Sequence, residues 1–322
     1  MKHLKLYEIL EKSPLFQLSL SSKELFHSNF LFWIWKISAN LFADIISGLY
    51  YSGEGCNEGS LEPLKFVVKR EKDNFDLSIW NKDAGHEILF MVIENKVKSI
   101  PRKSQLDEYY EKTQDSHHLL LSLAKTFPEK EKIKKKWKVV SYNKLGNVIY
   151  EKFLEDPENA KRGYLKDYSP EIKNYYFEII KDYYDMIMAL DGLTEEWEIS
   201  EYSNFFYEDK NLEDLRINDL KEKIRFSFLC YKVAEELKKL LNFNIDFNAN
   251  REYIFDKKKD HEINKIFLNF GMTRAQGLLE LKILMEPSIA LVIQIQGNQY
   301  RHCIELFQWN NSVEKKLERI NG

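Results

Sequence analysis

The chain has 322 residues, of which 44% are hydrophobic, and its formal net charge is -3. These values exclude an intrinsically disordered chain and a global positive field, so any contact with nucleic acid must come from local patches. The length suits one large domain or two smaller ones. The three cysteines, Cys56, Cys230 and Cys303, show no paired spacing, which argues against disulfides and a zinc site and favours a reducing, cytoplasmic location.

Membrane association is not expected. The first ten residues are charged and lack the apolar core of a signal peptide. The most apolar stretch, Phe30–Tyr51, carries Lys36, Asn40 and Asp44 at interior positions. Because such side chains are costly inside a bilayer, this stretch predicts a buried helix rather than a membrane span.

The N-terminal region is predicted to be helical. A short helix over residues 1–11 should end before Pro14. A second helix should begin at Ser21, which is a good N-cap, with Glu24 three residues later as its capping-box partner. Apolar side chains recur along this second helix at helical spacing: Phe26, Phe30, Trp33, Ile37 and Leu41.

Three β-strands are predicted next, joined as an antiparallel meander. Residues 64–72 and 75–80 have strand patterns and are separated by a turn at Asp73-Asn74. After a second turn at 81–85, six apolar residues run directly into Glu94-Asn95-Lys96. A continuous apolar run of this length indicates a central strand that is covered on both faces. Because side chains alternate along a strand, Glu94 and Lys96 should point to the same face.

The sheet is predicted to continue through a crossover. Pro101 should open a helix at a tolerated first-turn position. Apolar strands follow at 117–123 and 137–142, and Asn143 is predicted to cap the next helix. Because a helix lies between the meander and the next strand, the sheet should be mixed and flanked by helices.

The C-terminal half carries no motif that we can assign. Residues 170–190 predict a helix that ends at Asp191-Gly192, and residues 211–242 predict another. Thereafter the apolar period changes to two, with strands predicted at 253–255, 266–268, 278–283, 290–295 and 303–307. We therefore divide the chain into an α/β core over residues 1–165, a helical region over 166–245 that packs on the core, and an α+β module over 246–322.

A cluster of charged residues is predicted at the end of the central strand. In a hairpin, Asp76 lies beside the Glu94 end of the neighbouring strand. Two carboxylates near Lys96 make a hard-oxygen site suited to Mg²⁺, to which the carbonyl of Asn95 can add a ligand. A metal ion that activates water and neutralises a phosphodiester supports hydrolysis. The alternative is that Asp76 and Glu94 simply end their strands and Lys96 pairs with Glu94, which is the commoner meaning of a bare Glu-x-Lys.

This arrangement resembles the PD-(D/E)xK nuclease superfamily over roughly residues 21–142. The resemblance is carried by Asp76, by Glu94-Asn95-Lys96, and by Gln105 and Tyr109, which match a Gln-x-x-x-Tyr helix motif. Residues 24–31 also resemble the Glu-x-x-His-Ser-x-x-Leu helix of a bacterial subgroup. Two features depart from the pattern: Phe75 stands where a proline often precedes the aspartate, and Glu94 follows Asp76 by eighteen positions.

The resemblance implies a restriction-endonuclease-like core with a C-terminal helical and α+β extension. It implies that Asp76 and Glu94 bind Mg²⁺, with Mn²⁺ able to substitute, and that Lys96 assists the attacking water. Gln105 and Tyr109 would orient the site or contact the phosphate backbone. Glu24 would be a further acid at the metal, or only a capping residue. His27 would hydrogen-bond near the site, although a buried structural histidine is the favoured interpretation.

The function implied is an Mg²⁺-dependent endonuclease acting on DNA, in bacterial defence or DNA processing. Lys98, Arg102 and Lys103 follow the site and are predicted to contact the nucleic acid. A second basic run over residues 130–138 is interpreted as a solvated helix face because Glu129 and Glu131 dilute its charge.

Two alternatives remain open from the sequence. The chain is either a non-catalytic nucleic-acid-binding or regulatory protein on a nuclease scaffold, or an interaction protein whose C-terminal module recruits a protein partner or a second copy.

Overall fold

The computed structural model describes residues 2–19, 23–51, 65–83, 86–97, 99–199, 210–241, 245–247, 266–273, 276–286 and 289–306. The protein is a mixed α/β structure with two five-stranded sheets, each of which contains both parallel and antiparallel pairs. It divides into two compact units: 1–125, 129–201 and 208–221 form the first, and 126–128, 202–207 and 222–322 form the second. Apart from two short segments, the second unit is the continuous stretch 222–322.

The sheet of the first unit has the strand order β1-β2-β3-β4-β5. Pairing is antiparallel from β1 to β3 and parallel from β3 to β5. This confirms the predicted meander, crossover and mixed sheet. The strand bounds are Phe66–Arg70, Leu77–Asp83, His86–Lys96, His117–Ser122 and Lys138–Ser141.

Strand β3 is the buried centre of this sheet, as predicted. Its residues from Met91 to Lys96 are all buried, whereas the strand begins with the exposed segment His86–Ile88. The apolar run is therefore not covered along its whole length, because the start of β3 extends beyond β4, whose pairing with β3 begins at Met91. The buried part is the part that carries Glu94, Asn95 and Lys96.

Helices of the first unit cover the sheet and one another. Helix α3 packs against β1 and β3, α7 packs against β5, and α9 packs against α1, α2, α7 and α8. The helix bounds are Lys2–Lys12 (α1), Pro14–Ser19 (α2), Lys23–Ile37 (α3), Ala39–Tyr50 (α4), Lys103–Lys112 (α5), Lys130–Ile133 (α6), Tyr142–Ile149 (α7), Pro157–Tyr164 (α8), Pro170–Ile199 (α9) and Lys210–Asp214 (α10). A π-helical segment, Tyr150–Leu154, continues α7.

Two helix starts differ from the sequence prediction. The predicted helix from Ser21 to Leu41 is two helices, because Ser38 leaves the helical conformation and its hydroxyl accepts the N–H of Leu41 as the N-cap of α4. Ser21 lies outside the described residues. Helix α5 begins at Lys103 with Arg102 as its N-cap, so Pro101 precedes the helix instead of opening it.

Two further helix boundaries were predicted wrongly: Asn143 is not a helix cap, and Asp191-Gly192 does not end a helix. Ser141 caps α7, since its hydroxyl accepts the N–H of Lys144. The N–H of Asn143 instead donates to Asp191 Oδ1 at 3.2 Å. Asp191 is buried inside α9 and is also paired with Lys125 at 2.8 Å. These partners stabilise, within the helix, a residue type that otherwise favours caps and turns.

The second unit contains a sheet of order β10-β9-β8-β7-β6 and most of helix α11, Asn218–Leu241. The predicted helix over 211–242 is interrupted because Arg216 adopts a left-handed φ of 55°. Phe226 packs on Gly277, where a Cβ would lie 2.0 Å from the phenyl ring. The strand bounds are Ile245–Phe247, Ile266–Thr273, Gln276–Glu286, Ile289–Gln296 and Gln299–Leu306.

The remaining predictions for the second half have mixed outcomes. The four later strands are confirmed, whereas the predicted strand at 253–255 lies outside the described residues. Among the helices that the structure describes, none has the length and apolar character needed to cross a membrane.

Candidate functional site

Asp76 lies opposite Glu94 at one end of the β2–β3 hairpin. The last antiparallel pair at this end joins Leu77 to Ile93, so one further step of the register brings Asp76 to Glu94. The Asp76 carboxylate accepts the backbone N–H of Asn95 through Oδ2 at 2.7 Å. Asp76 itself precedes β2 instead of lying within it. The eighteen positions from Asp76 to Glu94 are taken up by the lengths of β2 and β3 and by a bulge in their pairing between Ile79 and Trp80.

The turn before Asp76 is tight and conformationally unusual. Glu71, Asp73 and Asn74 all have left-handed backbone angles, with φ of 49°, 58° and 68°. Residues other than glycine adopt this region at a cost, and they do so where the surrounding structure holds them in place. The position of Asp76 therefore depends on contacts that stabilise this turn.

Helix α5 supplies those contacts through Gln105 and Tyr109. The Tyr109 hydroxyl donates to the carbonyl of Asn74 at 3.2 Å, and its ring meets Phe75 edge-on with centroids 5.2 Å apart. Gln105 Nε2 donates to the same hydroxyl at 3.0 Å. Tyr109 thus contacts the turn that leads into Asp76 directly, and Gln105 supports this contact through the Tyr109 hydroxyl.

Glu94 and Lys96 form a buried ion pair on the same face of β3. Lys96 Nζ donates to Glu94 Oε1 at 2.8 Å, and the two side chains are only 8% and 3% exposed. Burial removes both charges from water, so the pair is tolerated because each ion compensates the other. This geometry matches the alternative in which Glu94 and Lys96 form a simple ion pair. It also places an ammonium group beside a carboxylate at the end of the strand, as the predicted site requires.

The side chain of Asn95 points to the opposite face and is completely buried. Its Nδ2 donates to Ser28 Oγ at 2.8 Å, and Tyr142 donates its hydroxyl proton to Asn95 Oδ1 at 3.2 Å. The amide is therefore engaged behind the sheet. The backbone carbonyl of Asn95 is directed towards the same edge of β3 as its N–H, which is the edge where Asp76 lies.

Ser28 and Tyr142 are contacts that the sequence analysis missed. Ser28 lies inside the helix pattern of residues 24–31, next to His27, and that adjacency was the available signal. No comparable signal marks Tyr142, which reaches Asn95 from helix α7, far along the chain. Together they fix the strand between the two charged residues from behind.

His27 is buried among aromatic rings. Its Nδ1 is hydrogen-bonded to the Tyr183 hydroxyl at 3.0 Å, and its ring lies edge-on to Tyr142 with centroids 5.1 Å apart. Desolvation lowers the pKa of His27 to about 3, which keeps the ring neutral near neutral pH. These partners match the interpretation of a buried structural histidine.

The predicted nucleic-acid contacts fall into three groups. Arg102 is exposed at the start of α5. Lys103 pairs with Asp107, whose other oxygen binds Lys136 at 2.9 Å, so part of this positive charge is balanced. Lys98 lies outside the described residues, as does the side chain of Glu24, which was predicted as a further acid at the metal or a capping residue.

Two lysines of the basic run over residues 130–138 pair with the two glutamates beside them. Lys132 binds Glu129 at 3.2 Å, and Lys134 binds Glu131 at 2.8 Å, both on exposed surface. Such surface pairs contribute little energy, but they reduce the local positive field. These pairs agree with a solvated face whose positive charge is diluted by the two glutamates.

The donor set at the hairpin end suits a metal ion that keeps much of its water. Among the described residues, no group of three or more His, Cys, Asp or Glu side chains is arranged to hold a metal. Mg²⁺ usually binds one or two carboxylates and retains several waters, and Asp76 and Glu94 provide that number of carboxylates.

Comparison of the chain with known proteins gave no match: no protein-family model, no curated protein and no solved structure matches it.

Proposed function

We propose that the protein is a Mg²⁺-dependent nuclease that hydrolyses phosphodiester bonds in DNA. The observation that carries this proposal is the register of the β2–β3 hairpin, in which Asp76 stands opposite Glu94 and Lys96 lies beside Glu94. Two oxygen donors and an ammonium at one strand end suit a hydrolytic site for an anionic substrate.

Each side chain has a definite role in this proposal. Asp76 and Glu94 bind the metal ion, which supplies water activation and charge neutralisation when it is bound. Lys96 holds the attacking water and donates hydrogen bonds to charge that develops on the phosphate. Gln105 and Tyr109 hold the turn that carries Asp76, and Arg102 contacts the backbone of the nucleic acid.

A restriction-endonuclease-like core is part of the same proposal. Its support is the order of elements: helix α3, the antiparallel strands β1 to β3, the crossover helix α5 and the parallel strands β4 and β5. The charged residues lie at the carboxyl end of the central strand β3, where open α/β sheets commonly bind their ligands.

A cleavage assay tests the proposal. Linear, circular and single-stranded DNA, and RNA, are incubated with the full-length protein in Mg²⁺, Mn²⁺ or EDTA. The expected result is DNA cleavage that requires the metal and falls at least about a hundredfold in Asp76→Asn and Lys96→Ala. Absence of cleavage by the wild type on every substrate, or full activity in both variants, would overturn the proposal.

A non-catalytic nucleic-acid-binding protein on the same scaffold is the second candidate. The observation that favours it is the near-complete burial of Glu94 and Lys96, which are bound to each other. Calorimetric titration of Mg²⁺ into wild type and Asp76→Asn separates the candidates. Heat that depends on Asp76 supports the nuclease, whereas equal heat in both proteins supports the non-catalytic scaffold.

A further inference from the structure

Trp80 on strand β2 carries two lysine side chains against its ring. Lys72 Nζ lies 3.8 Å from the ring centroid, and Lys69 Nζ lies 4.9 Å from it. All three side chains are half-buried at the surface of the first unit. We refer to Lys69, Lys72 and Trp80 as the lysine–tryptophan surface.

This surface lies on the same face of the sheet as Glu94 and Lys96. Trp80 Nε1 donates to Ser78 Oγ at 2.8 Å, so these two side chains share a face. Ser78 is paired directly with Val92, and Glu94 follows Val92 by two residues, which places Glu94 on that face as well. The face that carries the candidate metal ligands therefore continues along β2 to Trp80.

The separation along the strand is short. Asp76 lies opposite Glu94, and Trp80 follows Asp76 by four residues, which corresponds to about 14 Å along the strand. This separation corresponds to a few nucleotides of an extended nucleic-acid strand.

The charge of the lysine–tryptophan surface is complementary to phosphate. The protein as a whole carries a formal charge of -3, yet two ammonium groups converge on one indole here. Glu87 pairs with Lys69 and balances one of them. Lysines beside an aromatic ring are the combination with which proteins hold single strands: the ring stacks on a base and the cations bind phosphates.

We propose that Trp80 stacks on an unpaired base of the substrate while Lys69 and Lys72 bind the adjoining phosphates. The proposal rests on the nuclease function proposed above and names its substrate class, nucleic acid with unpaired bases near the scissile bond. Bases within a duplex already stack on their neighbours, so the indole face is available only to a base that has left the stack. The lysine side chains move from the ring to the phosphates when the base binds.

Fluorescence anisotropy with labelled oligonucleotides in EDTA tests this proposal without any cleavage. The probes are single-stranded DNA, single-stranded RNA and a blunt DNA duplex of equal length. Wild type is expected to bind at least one single strand more tightly than the duplex. Trp80→Ala is expected to weaken single-strand binding about tenfold, and Trp80→Phe, which keeps a ring, is expected to retain most of it.

Charge variants give a second, independent readout. Lys72→Ala is expected to lower the slope of log affinity against log salt by about 1 for single-stranded DNA. The control is Lys112→Ala, which removes the same charge from an exposed lysine of the first unit that ends helix α5, away from Trp80, and pairs with Glu108. This control should leave affinity and slope unchanged.

Several results would overturn the proposal. They are equal affinity for duplex and single strands, unchanged single-strand binding by Trp80→Ala, or equal effects of Lys72→Ala and Lys112→Ala. If Trp80→Ala does not fold, as judged by its circular dichroism melt, Trp80→Leu replaces it. Failure of the nuclease proposal can be distinguished from failure of the base-stacking proposal. If only the nuclease proposal fails, single-strand binding in EDTA still depends on Trp80, but no cleavage follows when metal is added.

Discussion

The backbone N–H of Asn95 donates a 2.7 Å hydrogen bond to the carboxylate of Asp76, which joins the two strand ends of the candidate site. Asp76→Asn keeps an oxygen acceptor for this bond but removes the charge. We therefore expect Asp76→Asn to fold with wild-type stability and to lose metal binding. Asp76→Ala should lose metal binding and also about 1–2 kcal/mol of unfolding free energy.

Urea denaturation and calorimetric titration with Mn²⁺ measure these two effects separately. Undiminished Mn²⁺ binding by Asp76→Asn would show that Asp76 is not a ligand. A similar loss of stability in both variants would show that the carboxylate acts through its charge alone.

Tyr109 holds the turn that leads into Asp76, so its hydroxyl should matter for both stability and activity. Tyr109→Phe removes the bonds to Asn74 and Gln105 and is expected to lower the unfolding free energy by about 1 kcal/mol. It should also weaken Mn²⁺ binding, because the left-handed turn is then less firmly held. Tyr110→Phe, at the neighbouring position, is the control. A variant at Tyr109 that binds Mn²⁺ like the control would contradict the orienting role.

The buried pair of Glu94 and Lys96 should behave as a coupled unit. Removing either partner leaves an uncompensated buried charge, so Glu94→Ala and Lys96→Ala are each expected to cost about 3 kcal/mol or more. The double variant should cost clearly less than the sum of the two single variants. Denaturation of all four proteins gives the coupling energy. Additive costs would mean that the two charges are solvated separately in solution.

Stability should decrease in mild acid because two histidines are buried in the neutral form. Burial lowers the pKa of His27 to about 3, and burial together with the nearby His117 lowers that of His118 to about 4. Between these values and the unfolded value of about 6.5, the unfolded chain binds protons that the folded chain does not. The unfolding free energy therefore falls as the pH drops through this window, by up to about 1.4 kcal/mol per unit for each residue.

Urea denaturation of wild type and His27→Gln between about pH 5 and about pH 7.5 checks this dependence. The variant should show the shallower decline, whatever its absolute stability. Parallel curves for the two proteins would mean that His27 is protonated in the folded state.

Local sequence signals predicted the first sheet well. The alternation and the turn at Asp73-Asn74 predicted the meander, and the apolar run before Glu94 predicted the buried central strand. The second turn, predicted over 81–85, was placed too early, because β2 continues through Asp83. These features follow from side-chain period and turn chemistry, which act over a few residues. The opposition of Asp76 and Glu94 follows from the same hairpin.

Contacts between distant segments were not predictable in this way. Ser28 and Tyr142 meet at Asn95 only after helices α3 and α7 pack on the sheet, and no local pattern encodes that meeting. Asp191 continues helix α9 for a similar reason, since Asn143 and Lys125 provide partners that a single sequence does not reveal. In both cases tertiary partners outweighed local preference.

A crystal structure with Mn²⁺ shows whether Asp76 and Glu94 share one metal ion. Anomalous scattering locates manganese independently of the protein atoms. We expect one anomalous peak that is coordinated by both carboxylates, with Lys96 beside it and water completing the coordination. The account is contradicted if saturating Mn²⁺ gives no peak at the hairpin end, or if the Asp76 carboxylate faces away from Glu94.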